Sequence, residues 1–308
     1  PFPSLGYLQD ANRMDPTADT PSDFPSPPWD RVAIIGVGLL GGSLGLALKA
    51  RRLCRQVVGI GRNMQRLEEA IGQGAIDIGS TDLPSGVAGC QWVVVCTPIQ
   101  QIAAHVLAAA KAAPHAMITD VGSTKESLVR QLASFPDLRF VGSHPMAGSE
   151  KSGCQHGSAQ LFDRRLVFVT PSPATPKPWT VEVKKFWEAV GAQSVVIDPD
   201  QHDLCVAQVS HLPHLIASAL AASTDPHWIP MAASGWSSTT RVAAGDPALW
   251  TQILMENRTP VLQATRKFAT ILQAWVDALE SGDGEKIEQL LEAGKQSRDA
   301  LGNRHPSG

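Results

Sequence analysis

Arg31-Val-Ala-Ile-Ile35-Gly36-Val-Gly38-Leu-Leu-Gly41 decides the fold of this chain. The apolar run to Ile35 ends on a glycine, the pattern of a parallel strand buried on both faces. Gly36 permits a tight turn, Gly38 lets a pyrophosphate approach the backbone, and Gly41 lets the following helix pack close to the strand. The helix N-terminus then offers oriented N–H donors to the phosphates. Three glycines at this spacing are weak evidence alone, but here they occupy the first strand-to-helix turn of an alternating pattern. Gly36, Gly38, Leu39, Leu40 and Gly41 are therefore expected to bind a dinucleotide.

The alternation runs outward from there. Leu40 to Ala50 reads as a helix, Gln56 to Ile60 as a strand and Asn63 to Gly72 as a second helix. Trp92 to Cys96 is a strand, followed by a helix near Ile99 to Lys111. Further strands are expected at Ala116 to Asp120, Arg139 to Val141, Leu166 to Val169 and Gln193 to Ile197, with a loop at Pro171 to Pro178 and a helix at Val181 to Val190. Strands alternating with helices imply a parallel sheet covered on both faces, a doubly wound Rossmann-type α/β domain over residues 31–198. After Asp198 strands disappear. His202 to Ala222 and Ala248 to Leu279 have helical spacing, with Pro260 kinking the second or starting a new helix. Glu285 to Leu301 is a last amphipathic helix. Residues 199–308 form an all-helical substrate and dimerisation domain, apolar enough to pair with a second copy. Residues 1–30, rich in proline and poor in apolar side chains, read as a flexible tail.

Bulk properties narrow the function. A formal charge of −3 on 308 residues gives no global field to draw nucleic acid or an anionic membrane. No apolar run reaches the roughly 18–20 residues that span a bilayer, and no leader is recognisable. Five scattered cysteines without a CxxC pair read as buried thiols in a reducing compartment, so a cytoplasmic location is expected. His211 and His214 share a helix face, but no acidic residue or cysteine beside them completes a ligand set, so no metal is expected.

After the second strand the sequence is Gly59-Ile-Gly61-Arg62-Asn63. An NAD site usually places a carboxylate there for the ribose 2′-hydroxyl. Arg62 instead suits a 2′-phosphate, so NADP is favoured over NAD, with use of both as the alternative. Four further segments carry polar residues out of apolar surroundings: Cys96-Thr97-Pro98-Ile-Gln100, Asp120-Val-Gly-Ser123-Thr-Lys125, Gly142-Ser-His144-Pro-Met-Ala-Gly-Ser-Glu150 and Ser210-His-Leu-Pro-His214. The first three follow strands, at the sheet edge where such folds bind ligands, and Thr97 and Pro98 are assigned to the cofactor. A fifth, Gly235-Trp-Ser-Ser-Thr-Thr-Arg241, precedes Asp246-Pro-Ala-Leu-Trp250 in the helical half.

These five segments, in order, resemble the prephenate/arogenate dehydrogenase family of tyrosine biosynthesis, from about Val32 to beyond Trp250. The resemblance implies oxidative decarboxylation of prephenate to 4-hydroxyphenylpyruvate with hydride transfer to NAD(P)+. It implies that His144 is the catalytic histidine accepting a hydrogen bond from the C4 hydroxyl, and that Ser123 contacts that region and the nicotinamide. It implies that Arg241 binds a substrate carboxylate, that His214 lies near the substrate side chain, and that Glu150 and Trp250 support the pocket rim. A neutral imidazole is chemically suited to stabilising positive character at a hydroxyl-bearing carbon. Ser238 stands where many relatives carry an aspartate. Arogenate dehydrogenase and dual specificity are the alternatives within the family. A hydroxyacid or imine reductase would need a lysine in the helical half that is not well placed here. A non-catalytic nucleotide sensor would have no use for His144, Ser123 and Arg241.

Overall fold

The computed structural model describes residues 27–300 apart from Pro136, Glu150 and Ser152. Five strands, β1 (Trp29–Ile35), β2 (Cys54–Ile60), β3 (Ile78–Ser80), β4 (Trp92–Val95) and β5 (Met117–Asp120), form one parallel sheet in the order β3-β2-β1-β4-β5. Helices α1 (Leu39–Ala50), α2 (Met64–Gly72), α3 (Leu83–Val87), α4 (Ile99–Ala112) and α5 (Glu126–Leu132) make the crossovers. Alternate residues of β1 enter opposite cores: Val32 and Ile34 pack on one side, Ala33 and Ile35 on the other. Burial on both faces is what a continuous apolar strand requires, so the doubly wound expectation holds.

The rest of this half departs from an all-parallel sheet. The strands β6 (Gly142–Pro145), β7 (Leu166–Thr170) and β8 (Gln193–Val196) form a second sheet in which β6 runs antiparallel to β7. The strand expected at Arg139 to Val141 is reduced to a single bridge from Phe140 to Ile118, and the true strand lies three residues on. Gly142-Ser-His-Pro carries no β-branched residue, so local propensity did not mark it; its partner Val167 to Thr170 does. The short β3 and α3 also lacked a sequence signal. Helix α6 (Lys177–Val190) begins inside the expected proline loop because Pro178 sits in its first turn, where a missing N–H is harmless. Trp29 and Asp30, assigned to the tail by composition, belong to β1, where Trp29 packs against Trp92 and Phe186. The tail itself, residues 1–26, lies outside the described residues. Of the five free cysteines, Cys96 and Cys205 are only half-buried, against the expectation of buried thiols.

The second half is helical: α7 (Pro199–Val206), a π-turn (Ala207–His211), α8 (Leu212–Ser223), α9 (Ser234–Thr240), α10 (Pro247–Glu256), α11 (Arg258–Ser281) and α12 (Gly284–Asp299). Pro260 lies in the first turn of α11, so it starts a new helix, as one of the two expectations had it. The π-turn makes Pro199–Ser223 one continuous helix, long and apolar enough by length and composition to cross a membrane. Its apolar stretch is interrupted by polar residues, so no uninterrupted apolar run of that length is present. The helix nevertheless carries His202, Asp203, His211 and His214 buried within the protein.

Candidate active site

The parallel register aligns Ile35 with Ile60 and Val95, and Val95 with Asp120, at one sheet edge. The loops that follow β1, β2, β4 and β5 therefore leave the sheet side by side. Strand order reverses between β1 and β4, the switch point where open α/β sheets bind ligands.

The glycine loop fits a dinucleotide. Gly36 has φ +95°, and a Cβ there would lie 2.7 Å from the Cys96 carbonyl oxygen across the switch point. A Cβ on Gly41 would lie 2.2 Å from the Gly36 carbonyl oxygen, so helix and turn meet with no room for a side chain. Around Gly38, by contrast, nothing lies within 4 Å. Gly38 caps α1 without a side-chain hydrogen bond, leaving the first-turn N–H groups to an outside acceptor. Leu39 and Leu40 open α1, half-buried beside this space. Across the switch point Thr97 Oγ1 and His105 Nδ1 share a hydrogen bond of 2.9 Å, and exposed Pro98 caps α4. Exposed Arg62 follows β2; burial first, and then the Arg62 charge, hold His105 below its ordinary pKa.

The chemistry-bearing residues lie on the next loops. His144, on β6, is 7 % exposed, and its Nδ1 stands 2.9 Å from Nε2 of His202 at the start of α7. His202 Nδ1 stands 2.7 Å from Asp203 Oδ1. The Asp203 carboxylate accepts the backbone N–H groups of Lys125 (2.8 Å) and Glu126 (3.0 Å), at the start of α5. The turn that carries half-buried Ser123 is thus pinned to the helical half. Lys125 and Asp120 form a fully buried ion pair. Asp120 also accepts from Ser143 N (2.9 Å) and Gly122 N (2.8 Å), which ties the Ser123 turn to the strand bearing His144.

Burial, then the charges of His202, Lys125 and His211, hold the His144 imidazole well below its ordinary pKa. Burial also lowers His202 against the opposing pull of Asp203, and brings His211 down to about 4. His144 is therefore neutral at ordinary pH and can accept a proton.

His214 stacks face to face on Trp250, with centroids 3.5 Å apart, and its Nδ1 is buried without a hydrogen-bond partner. Gly245 lies against this pair; a Cβ there would meet Trp250 Nε1 at 2.6 Å. His211 Nδ1 lies 3.1 Å from Asn257 Nδ2, which also donates to the Asp203 carbonyl (2.8 Å). His211 is thus a hydrogen-bonded structural residue. Arg241 is exposed and lines an open cleft of about 530 Å³ with Trp236, Thr240 and Ala244. The residues lining that cleft do not include His144 or Ser123. Glu150 lies outside the described residues.

His202 and Asp203 were missed by sequence reasoning, which absorbed them into the first turn of an apolar helix. The available signal was an adjacent His-Asp pair directly after the last strand.

Comparison with known proteins finds similarity over most of the chain. Residues 44–196 match the family described as prephenate dehydrogenase, nucleotide-binding domain, and residues 198–293 match prephenate dehydrogenase, dimerization domain. The chain is 31 % identical to a prephenate dehydrogenase of Bacillus subtilis over 88 % of its own length and 76 % of that protein's. It is 30 % identical to a cyclohexadienyl dehydrogenase of Zymomonas mobilis, covering 90 % and 98 % of the two chains. Among solved structures, prephenate dehydrogenase from A. aeolicus in complex with hydroxyphenyl propionate and NAD+ superposes with a TM-score of 0.79 at 30 % identity, covering 88 % of this chain and 98 % of that one. Synechocystis arogenate dehydrogenase gives 0.73 at 26 %, covering 88 % and 99 %.

Proposed function

The chain belongs to the prephenate dehydrogenase family of nicotinamide-dependent oxidoreductases, and from that premise we propose how its residues divide the work. The reaction is the oxidative decarboxylation of prephenate to 4-hydroxyphenylpyruvate. Gly36, Gly38, Gly41 and the first turn of α1 hold the dinucleotide, with Leu39, Leu40, Thr97 and Pro98 around it. When bound, the nicotinamide supplies the hydride acceptor. Arg62 favours NADP because a guanidinium can pair bidentately with a 2′-phosphate.

The observation that carries the chemistry is His144: buried, neutral and hydrogen-bonded on Nδ1, with its ring on the strand next to the Ser123 turn. It accepts the proton of the C4 hydroxyl as positive character develops at C4. Ser123 orients that hydroxyl. Arg241 holds a carboxylate from the helical half, and His214, set by Trp250, faces the side chain; a supporting role for Glu150 rests on the family resemblance alone. Residues 31–198 serve the cofactor and 199–308 the substrate and dimer contact. Pairing of two copies is supported by the match to a dimerization domain and by exposed Ile271, Leu272, Val276 and Leu279 on α11. Arogenate is the second reading, favoured by Arg62, since arogenate-type relatives often use NADP.

His144→Asn tests the assignment. It should lower kcat by about 10²–10⁴-fold while the dissociation constant for cofactor stays within a few-fold. An unchanged kcat would remove His144 from the chemistry.

A further inference from the structure

We propose that His202 and Asp203 form a proton-holding relay behind His144, and that His202 is a positioning residue which fixes His144 in the one tautomer able to accept a proton from substrate. The inference rests on the role given to His144 above and extends it to residues that no motif marked.

The hydrogen-bond polarity can be followed from its fixed end. The Asp203 carboxylate oxygens face two backbone N–H groups, those of Lys125 and Glu126, which can only donate. Asp203 is therefore an acceptor, and His202 Nδ1, 2.7 Å away, carries the hydrogen. In a neutral imidazole the other nitrogen must then be a lone pair. His202 Nε2 accepts, so His144 Nδ1, 2.9 Å away, donates. The lone pair of His144 is left on Nε2, the nitrogen not engaged in the relay. Without His202 the two His144 tautomers would be close in energy, and part of the population would present N–H to the substrate hydroxyl.

The surroundings keep the relay empty at rest. The charged or titratable groups facing it are Lys125 and Asp120 from the β5 edge and α5, Asp203 from α7, and His211 from the π-turn. Burial dominates for both imidazoles, and Lys125 adds to it. Asp203, by its hydrogen bond and charge, and to a smaller extent Asp120 offset these on His202, so the charge of a captured proton can spread toward Asp203.

A dead-ended relay suits the proton balance. The C4–H pair leaves as hydride to the nicotinamide, the O–H pair becomes a C4=O bond, and the proton passes to His144 Nε2. The ring C–carboxylate bond then breaks and CO2 departs. Its electron pair flows through the ring to oxygen, which takes the proton back as the phenol. No proton is gained or lost overall, so the site needs a place to hold one and no channel to release it.

The test compares His202→Leu with His202→Gln, whose side-chain oxygen can still accept from His144 Nδ1. His202→Leu should lower kcat by about 10–100-fold, less than loss of His144 itself, with KM and cofactor affinity within threefold. His202→Gln should recover most of that loss. In parallel, ¹⁵N-imidazole NMR should show His144 protonated on Nδ1 in the wild type and in His202→Gln, and as mixed tautomers in His202→Leu. If His202→Leu fails to fold, the wild-type spectrum and the His202→Gln rate still decide. Wild-type His144 protonated on Nε2, or a His202→Leu rate within threefold of wild type, overturns the relay. Because the tautomer readout needs no turnover, a wild type that turns over neither cyclohexadienyl acid would sink the functional reading separately.

Discussion

At the scale of single residues, the site is organised by buried polar groups that satisfy one another. Asp120 and Lys125 are fully buried, and such a pair is tolerable only because both Asp120 oxygens also accept backbone N–H groups. The histidines set the response to pH. The folded-state pKa of His211 is about 4, below its ordinary value near 6.5, so the unfolded chain binds more protons between these limits. Stability is then full above about pH 6.5 and falls as pH drops toward about 4, with His211 contributing about 3 kcal/mol of that loss. His144 and His202 act in the same direction. Thermal melts from pH 7.5 to 4.5 should slope downward, and His211→Gln should flatten the slope. Parallel profiles for the two proteins would contradict this. His144 and His214 were legible because they sit in distinctive runs, whereas His202 was not: its role exists only through contacts to β6 and α5, far away in sequence.

At the scale of elements, the glycine loop was legible in full because each glycine answers a local demand. The demands differ, and so do the expected effects of replacement. Gly36→Ala forces a side chain into φ +95° and into the Cys96 carbonyl, so the protein should be destabilised. Gly38→Ala meets open space at an ordinary φ of −93°, so the melting temperature should hold. The added methyl occupies the phosphate approach, and NADP should bind about tenfold or more weakly, equivalent to about 1.4 kcal/mol. Calorimetry and fluorescence titration of the two variants separate these outcomes. An unaltered NADP affinity in Gly38→Ala would displace the cofactor from this loop. The π-turn was not legible. Residues 202 and 211 are nine apart, about two and a half turns of α-helix, and would face opposite sides of a regular one. The widened turn at Ala207–His211 rotates His211 back toward the His202 neighbourhood, a common use of such turns at functional sites. Strand β6 escaped for the opposite reason, since long-range pairing overrode a sequence with no strand propensity.

At the scale of the whole molecule, the sheet supplies a cofactor crevice and the helical half reaches across it. Contact is made where Asp203 on α7 pins α5 and where α10 packs on α4. The switch from alternating to purely helical pattern after Asp198 announced this division. The second, mixed sheet could not be foreseen from strand positions, because pairing direction leaves no trace in a single strand. Arg241 opens the short turn Arg241–Ala244 that packs on α8, the helix carrying His214. The most direct test of the central claim is formation of reduced nicotinamide by the purified protein, with prephenate and arogenate each offered with NAD+ and NADP+. Turnover is predicted, fastest with prephenate and NADP+. A folded protein that binds cofactor yet reduces it with neither substrate would contradict the assigned activity.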